Sequence, residues 1–281
     1  MFVWPLGVSV PGARVLADDT EADSAAGSQA REQAIAAAVA RGEALWQKSC
    51  KRADSALGCW SVERVDAPTY CGDGYTRVTW QRKRKTHDQA MGHFNQAIHL
   101  ASRAPADEQA SARRAAATAY LRRAQSDLEQ AMVMRFPTDL VFSDDQPKLR
   151  RLSTERFTKW LRKSQNDVQK VQKQLSELMH EGGAGLSPAE RVRIYASVAG
   201  LLERYADVIE HAWIPKNVRT GEQASELRRV YCETIGDQAE SIRQQAESTY
   251  QVCAGLAEQL SVSTPIAAQC TANASAAAPT P

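Results

Sequence analysis

The sequence predicts an all-α fold of about six helices arranged as antiparallel hairpins, with one short extended or hairpin segment near residues 59–82. Three observations carry that expectation. Ala, Gln, Glu, Arg and Leu are abundant while aromatic residues make up only 6% of the chain, a composition that favours helix over sheet. Long windows place apolar side chains three and four positions apart, the spacing of one helix face. The breaks between these windows fall at Pro and Gly, which end helices.

With 281 residues, 43% of them apolar, the chain can bury a sizeable core. Lys and Arg number 35 against 33 Asp and Glu, a net charge of +2, so no global field draws the molecule onto nucleic acid or an anionic membrane. Any partner must be recognised locally. No stretch approaches the ~20 apolar residues of a transmembrane helix.

The elements follow in order. Residues 1–10 are apolar, Arg14 follows and an acidic stretch begins at Asp18, which reads as the back half of a shortened signal peptide, residues 1–17, cleaved after Ala17. Residues 18–28 read as a disordered linker, 29–260 as a single helical domain, and 261–281, rich in Ser, Thr, Pro and Ala, as a low-complexity tail. Ile35, Val39, Leu45 and Trp46 define a first helix over 29–56. Alternating apolar residues from Trp60 to Val65 and from Tyr75 to Trp80, separated by turn residues around Pro68 and Gly72, define the extended segment. Thr86 and Gln89 have the spacing of a capping box opening a helix to about 103. Tyr120, Leu121, Leu128 and Met132 lie on a further helix over 106–135, which Pro137 ends. The clearest stripe runs over 153–181 through Phe157, Trp160, Leu161, Val168, Val171, Leu175 and Leu178. After a Gly-rich break, Ser187, Pro188 and Glu190 supply an N-cap, a proline at the first helical position and a capping-box partner. Thr220 and Gln223 have the spacing of another capping box, opening a helix of more than thirty residues.

Six cysteines, Cys50, Cys59, Cys71, Cys232, Cys253 and Cys270, include no C-x-x-C pair and have no metal-ligand histidine nearby, so disulfides are expected rather than a zinc site. Three lie in the N-terminal third and three near the C-terminus, so complete pairing needs at least one bridge between the groups. Cys232 and Cys253 sit on one predicted helix, separated by a rise of roughly 31 Å, far beyond disulfide reach. Pro265 and a Ser/Thr stretch between Cys253 and Cys270 let the chain fold back, which favours a Cys253–Cys270 bridge. Cys232 is left for Cys50, Cys59 or Cys71, which would close the bundle.

Few residues invite chemistry. The basic run Arg82-Lys-Arg-Lys85 suggests a peripheral nucleic-acid or envelope-polymer binder as the alternative function. His87, His93 and His99 are spaced by six, which turns each about 120° from the last on a helix and gives no shared metal face. Asp144 and Asp145 lack the Gly and Glu of a calcium loop. The glycines at 72–74 and 182–185 lack the context of a phosphate loop. No nucleophile elbow, zincin motif or Cys/His pairing is present. No catalytic, cofactor-binding or metal-binding residue is assigned, and a non-enzymatic protein with no cofactor and no inferred small-molecule substrate is expected.

Ala90, Phe94 and Ala97 have the Ala-x-x-x-Phe-x-x-Ala form of the second helix of a tetratricopeptide repeat. A longer likeness joins Met134-Arg-Phe-Pro137, Glu155-Arg-Phe-Thr-Lys-Trp-Leu161, Tyr195-Ala-Ser-Val-Ala-Gly-Leu-Leu-Glu-Arg-Tyr-Ala-Asp207, Ile214-Pro-Lys216 and Tyr231-Cys-Glu-Thr-Ile-Gly-Asp-Gln-Ala-Glu240. Over roughly 85–260 the chain resembles the C-terminal region of tetratricopeptide-repeat proteins of myxobacteria and their relatives, some of them associated with gliding motility. The resemblance implies tetratricopeptide-like hairpins, a periplasmic or extracellular location, and a scaffold that binds another protein of the cell envelope.

Overall fold

The computed structural model describes the backbone of residues 15–182 and 185–276, with side chains over 27–180 and 185–275. It is mainly helical. Nine α-helices, among the described residues, surround a single two-stranded sheet. The chain runs α1 (Val15–Ser49), β1 (Trp60–Asp66), β2 (Gly74–Trp80), α2 (Arg84–Ser102), α3 (Gln109–Ala115), α4 (Ala117–Met132), α5 (Pro147–Glu177), α6 (Pro188–Glu210), α7 (Lys216–Arg219), α8 (Ala224–Gln259) and α9 (Pro265–Ala276).

Several boundaries differ from the sequence expectation. The expected signal segment lies largely outside the described residues. The stretch 18–28, expected to be linker, is part of α1; it runs straight into the Ala-rich helix that follows, and extending an existing helix costs far less than starting one. The tail expected over 261–281 contains α9, which carries Cys270. Three further helices come from α7, α9 and a break at Ala116, which divides the helix expected over 106–135 into α3 and α4. The capping box at Ser187 and Glu190 forms in full. Those at Thr86 and Thr220 do not. Helix α2 starts from Lys83, whose N–H donates to Ser49 O at 2.7 Å, so Thr86 is already inside the helix. The Thr220 hydroxyl donates instead to Lys216 O at 3.1 Å, at the end of α7. Helix α5 begins before the expected 153, with Pro147 in its first turn, where a missing N–H costs nothing.

Packing proceeds by antiparallel helix pairs. In the first, Trp46 of α1 lies against His87 and Phe94 of α2, and Arg31 reaches Glu108. Ala90, Phe94 and Ala97 are wholly buried there with Ile35 and Ala38. Phe94 comes so close to α1 that a Cβ on Gly42 would lie 2.5 Å from its ring. In the second pair, α6 and α8 are joined from the Glu210–Arg243 ion pair to the bond from Tyr250 to Glu203. Helices α4, α5, α6, α8 and α9 share the largest core, which includes Val171, Leu175, Val192 and Leu201. A smaller core, Phe136, Leu140, Val208, Ala212 and Trp213, sits under the 133–146 loop.

The extended segment is a β-hairpin in register from Trp60 opposite Trp80 to Asp66 opposite Gly74. Its tip turns through Gly72, whose φ of 67° suits glycine. Cys71 N–H donates to Ala212 O and Ile214 N–H to Thr69 O, so the tip is sewn to the segment after α6. Trp60 and Val78 bury in the main core. The hairpin thus packs on α4 at its open end and on α8 and the segment after α6 at its tip.

All six cysteines are paired. Cys50–Cys59 closes the turn from α1 into β1, Cys253–Cys270 holds α9 on α8, and Cys71–Cys232 joins the hairpin tip to α8 across a sequence separation of 161. Their Cα separations of 5.6, 5.5 and 5.8 Å lie within the disulfide range. Among the described residues, no helix is long and apolar enough to cross a membrane.

Candidate functional site

Arg82, the first residue of the basic run, is buried and corrects the surface role expected of it. Its side chain is 3% exposed and faces the fully buried carboxylate of Glu129. Nε donates to Glu129 Oε2 at 2.6 Å and Nη2 to Oε1 at 2.7 Å, a bidentate pair, while Nη1 donates to Trp46 O at 2.9 Å and Ser49 Oγ at 2.7 Å. Glu129 also accepts from Cys59 N–H at 2.9 Å and Trp80 Nε1 at 3.0 Å. The guanidinium lies 3.4 Å from the Trp46 ring centroid. Each nitrogen of Arg82 donates to an acceptor and the guanidinium face lies on Trp46, which is the condition for a buried pair to be tolerated. The cluster joins the end of α1, both ends of the hairpin and α4. Lys83, Arg84 and Lys85 remain exposed, and Arg84 lies 3.9 Å from Asp88.

A different set of residues converges on an open cleft of about 340 Å³ between the hairpin tip, the 133–146 loop, α5 and α6. Tyr70 and Tyr75 form one wall, with ring centroids 4.5 Å apart. Phe136, Pro137 and Val208 supply apolar lining. The opposite side is built on Arg204, which is 6% exposed. Its Nε and Nη2 donate to Met132 O at 3.1 Å and Met134 O at 2.9 Å, and Nη1 donates to Asp207 Oδ2 at 2.5 Å. Arg204 therefore fixes the loop and aims Asp207 together. His211 Nδ1 donates to the carbonyl and the carboxylate of Asp207, each at 3.0 Å.

These contacts set the charge states. Burial alone would raise the Asp207 carboxyl, but the His211 hydrogen bond and the Arg204 charge outweigh it and hold the group below the usual carboxylate range. The hydrogen bond to Asp207 raises His211 above its ordinary value against the opposing effect of burial. Burial pushes the Tyr70 phenol up. Arg135 and Arg156 also line the cleft, both exposed. Neither has an ion-pair partner among the described residues. At this site Asp207 is held between Arg204 and His211, while the Arg135 and Arg156 guanidiniums remain open to a ligand.

The other residues singled out from the sequence lie apart. His87 is buried, with Nε2 3.0 Å from Ser126 Oγ, and packs between the Trp46 and Trp80 rings. His93 and His99 lie further along α2, half-buried and exposed respectively. Asp144 and Asp145 are exposed on the loop, where Asp144 pairs with Arg150. Among the described residues, no group of three or more His, Cys, Asp and Glu side chains is placed to hold a metal ion.

Nothing in local spacing joins Tyr70, Arg135, Arg156 and His211. The one sequence signal was Arg204 and Asp207 on the buried face of α6, among Leu201, Tyr205 and Val208, where a charged pair needs a reason. The fold and cleft define a mainly helical, disulfide-linked protein with a polar recess lined by Arg135, Arg156 and Arg204. Compared with known proteins, the chain matches no family model, no curated protein and no solved structure.

Proposed function

We propose that this chain is a non-enzymatic, extracytoplasmic scaffold of tetratricopeptide-like helical hairpins that binds another protein of the cell envelope. The observation that supports this best is the Cys71–Cys232 bridge, which ties the hairpin tip to α8 and fixes the wall of an open cleft. A surface held rigid before binding loses little ordering entropy on association, and disulfides persist in oxidising compartments. Exposed Leu149 and Leu152 on α5 and Leu227 and Val230 on α8 add apolar contact area on two helices that flank the small core under the loop. The packing of Phe94 against Gly42, with Ala90 and Ala97 buried in the same cluster, supports the tetratricopeptide-like comparison, with small residues admitting an aromatic between two helices. The resemblance to myxobacterial envelope proteins belongs to the same reading.

The test is quantitative affinity capture from the envelope fraction of the native organism, with the oxidised chain and a Cys71→Ser/Cys232→Ser variant as baits. One partner enriched by the oxidised chain and weakened in the variant is expected. Equal enrichment by both baits, or turnover of a substrate by the purified chain, would contradict the reading.

A further inference from the structure

We infer that the cleft between Tyr70, Arg135, Arg156 and His211 recognises a carboxylate side chain on an extended acidic segment of a partner polypeptide, which rests on the reading of the chain as a protein-binding scaffold. Three features of the cleft select this chemistry. First, the charge is positive and partly uncommitted: Arg135, Arg156 and Arg204 line it against Asp207 alone, and Arg204 has each of its nitrogens engaged. Arg135 and Arg156 are left to meet an incoming anion, and guanidinium forks match carboxylates in geometry. Second, the charge left open is that of two guanidiniums: Asp207 in the wall already answers Arg204, so Arg135 and Arg156 remain to take the two oxygens of a carboxylate, with inorganic phosphate the competing anion that titration must separate from it. Third, the lining of Phe136, Pro137 and Val208 is apolar, which suits the side chain next to the acid in a peptide. A sugar acid finds less. Tyr70 and Tyr75 are packed on each other and the Arg77 guanidinium lies 5.8 Å from the Tyr75 centroid, so open stacking faces are few.

The position of the cleft agrees with an extended ligand. It opens between an irregular loop, a hairpin tip and two helices, which together leave a recess of about 340 Å³. That is the lower end of ligand-site size and holds one or two side chains rather than a folded domain. The rest of a partner would lie outside it, over the neighbouring apolar residues of α5.

The experiment uses the oxidised full chain, followed by amide chemical shifts and titration calorimetry. The probes are an end-capped hexapeptide with one Glu between two Leu residues, its Gln counterpart, inorganic phosphate and a trigalacturonate. The Glu peptide should shift amides around Tyr70, Thr138 and His211 saturably. Because charge-assisted hydrogen bonds are lost, the Gln peptide should bind about tenfold more weakly, and an Arg135→Gln/Arg156→Gln variant should weaken the Glu peptide about tenfold or more. Both arginines are exposed, so the melting temperature of the variant should stay with the parent, which separates lost recognition from lost folding. Equal binding of the Glu and Gln peptides, tighter binding of phosphate or trigalacturonate than of the Glu peptide, or full affinity in the double variant would each overturn the assignment. The scaffold reading is scored separately: a partner captured equally by the parent and the double variant sinks the cleft assignment alone. Glu-peptide binding with no partner captured supports the cleft chemistry and counts against the scaffold.

Discussion

Replacing Glu129 by Ala should be among the most damaging single changes in the molecule. The carboxylate is fully buried and accepts four hydrogen bonds, two of them from Arg82, one from Cys59 N–H and one from Trp80 Nε1. Its loss leaves a guanidinium that is 3% exposed without its counter-charge, together with two stranded donors. Breaking a buried ion pair from one side costs about 3 to 5 kcal/mol. For a chain of this size that corresponds to a melting temperature lower by about 10 °C. Equilibrium unfolding in urea with the disulfides intact measures it, and a double-mutant cycle with Arg82→Met isolates the coupling. The double variant should recover much of the loss, because removing both charges removes the desolvation problem. The effect should also persist in high salt, where exposed pairs fade. A loss below about 1 kcal/mol for Glu129→Ala would refute the buried-pair reasoning, since even one unsatisfied buried donor costs that much.

Other consequences are independent of that pair. Gly42→Ala should destabilise by about 1 to 3 kcal/mol through a clash with the Phe94 ring, and a Phe94→Leu background should relieve part of it in thermal melts. The Cys71→Ser/Cys232→Ser variant should lose about 2 to 5 kcal/mol, because the bridge closes a separation of 161 residues; denaturant titration of both forms checks it. The His211–Asp207 contact has a defined pH window. His211 is raised above its ordinary 6.5, so its contribution is complete below that value and is lost as pH climbs through the folded one. Asp207 is depressed below 3.8, so its contribution is complete above that value and is lost as pH falls through the folded one. Melting curves should therefore show the parent's advantage over His211→Gln largest between those two values and shrinking as pH climbs through the raised folded value of His211.

Local chemistry made part of this fold legible and non-local chemistry hid the rest. Ser187, Pro188 and Glu190 cap α6 because all the groups involved lie within four residues. Of the stripe over 153–181, Val168, Val171, Leu175 and Leu178 are buried and Phe157, Trp160 and Leu161 half-buried, because helical periodicity decides which face turns inward. Thr86 and Thr220 have the same local signature as Ser187, but a tertiary bond at Lys83 and a neighbouring short helix took over. Arg82 looked like a surface charge because its partner lies 47 residues away. Spacing along a helix ruled out Cys232 with Cys253, whereas the choice of Cys71 for Cys232 depends on the hairpin tip docking at Ala212. The cleft was illegible for the same reason: its walls come from four separate elements, and no periodicity links a hairpin tip to the end of α6.

The central claim, recognition of a partner protein at the cleft rather than of a polymer at the basic run, has one direct measurement. Envelope partners captured by the oxidised chain are quantified by mass spectrometry against two variants, Arg135→Gln/Arg156→Gln and Lys83→Ser/Arg84→Ser/Lys85→Ser. Arg82 stays in place because its burial would confuse binding with folding. The account predicts the same partner at the same level with the parent and the basic-run variant, and its loss with the cleft variant. Retention by the cleft variant with loss from the basic-run variant would contradict it.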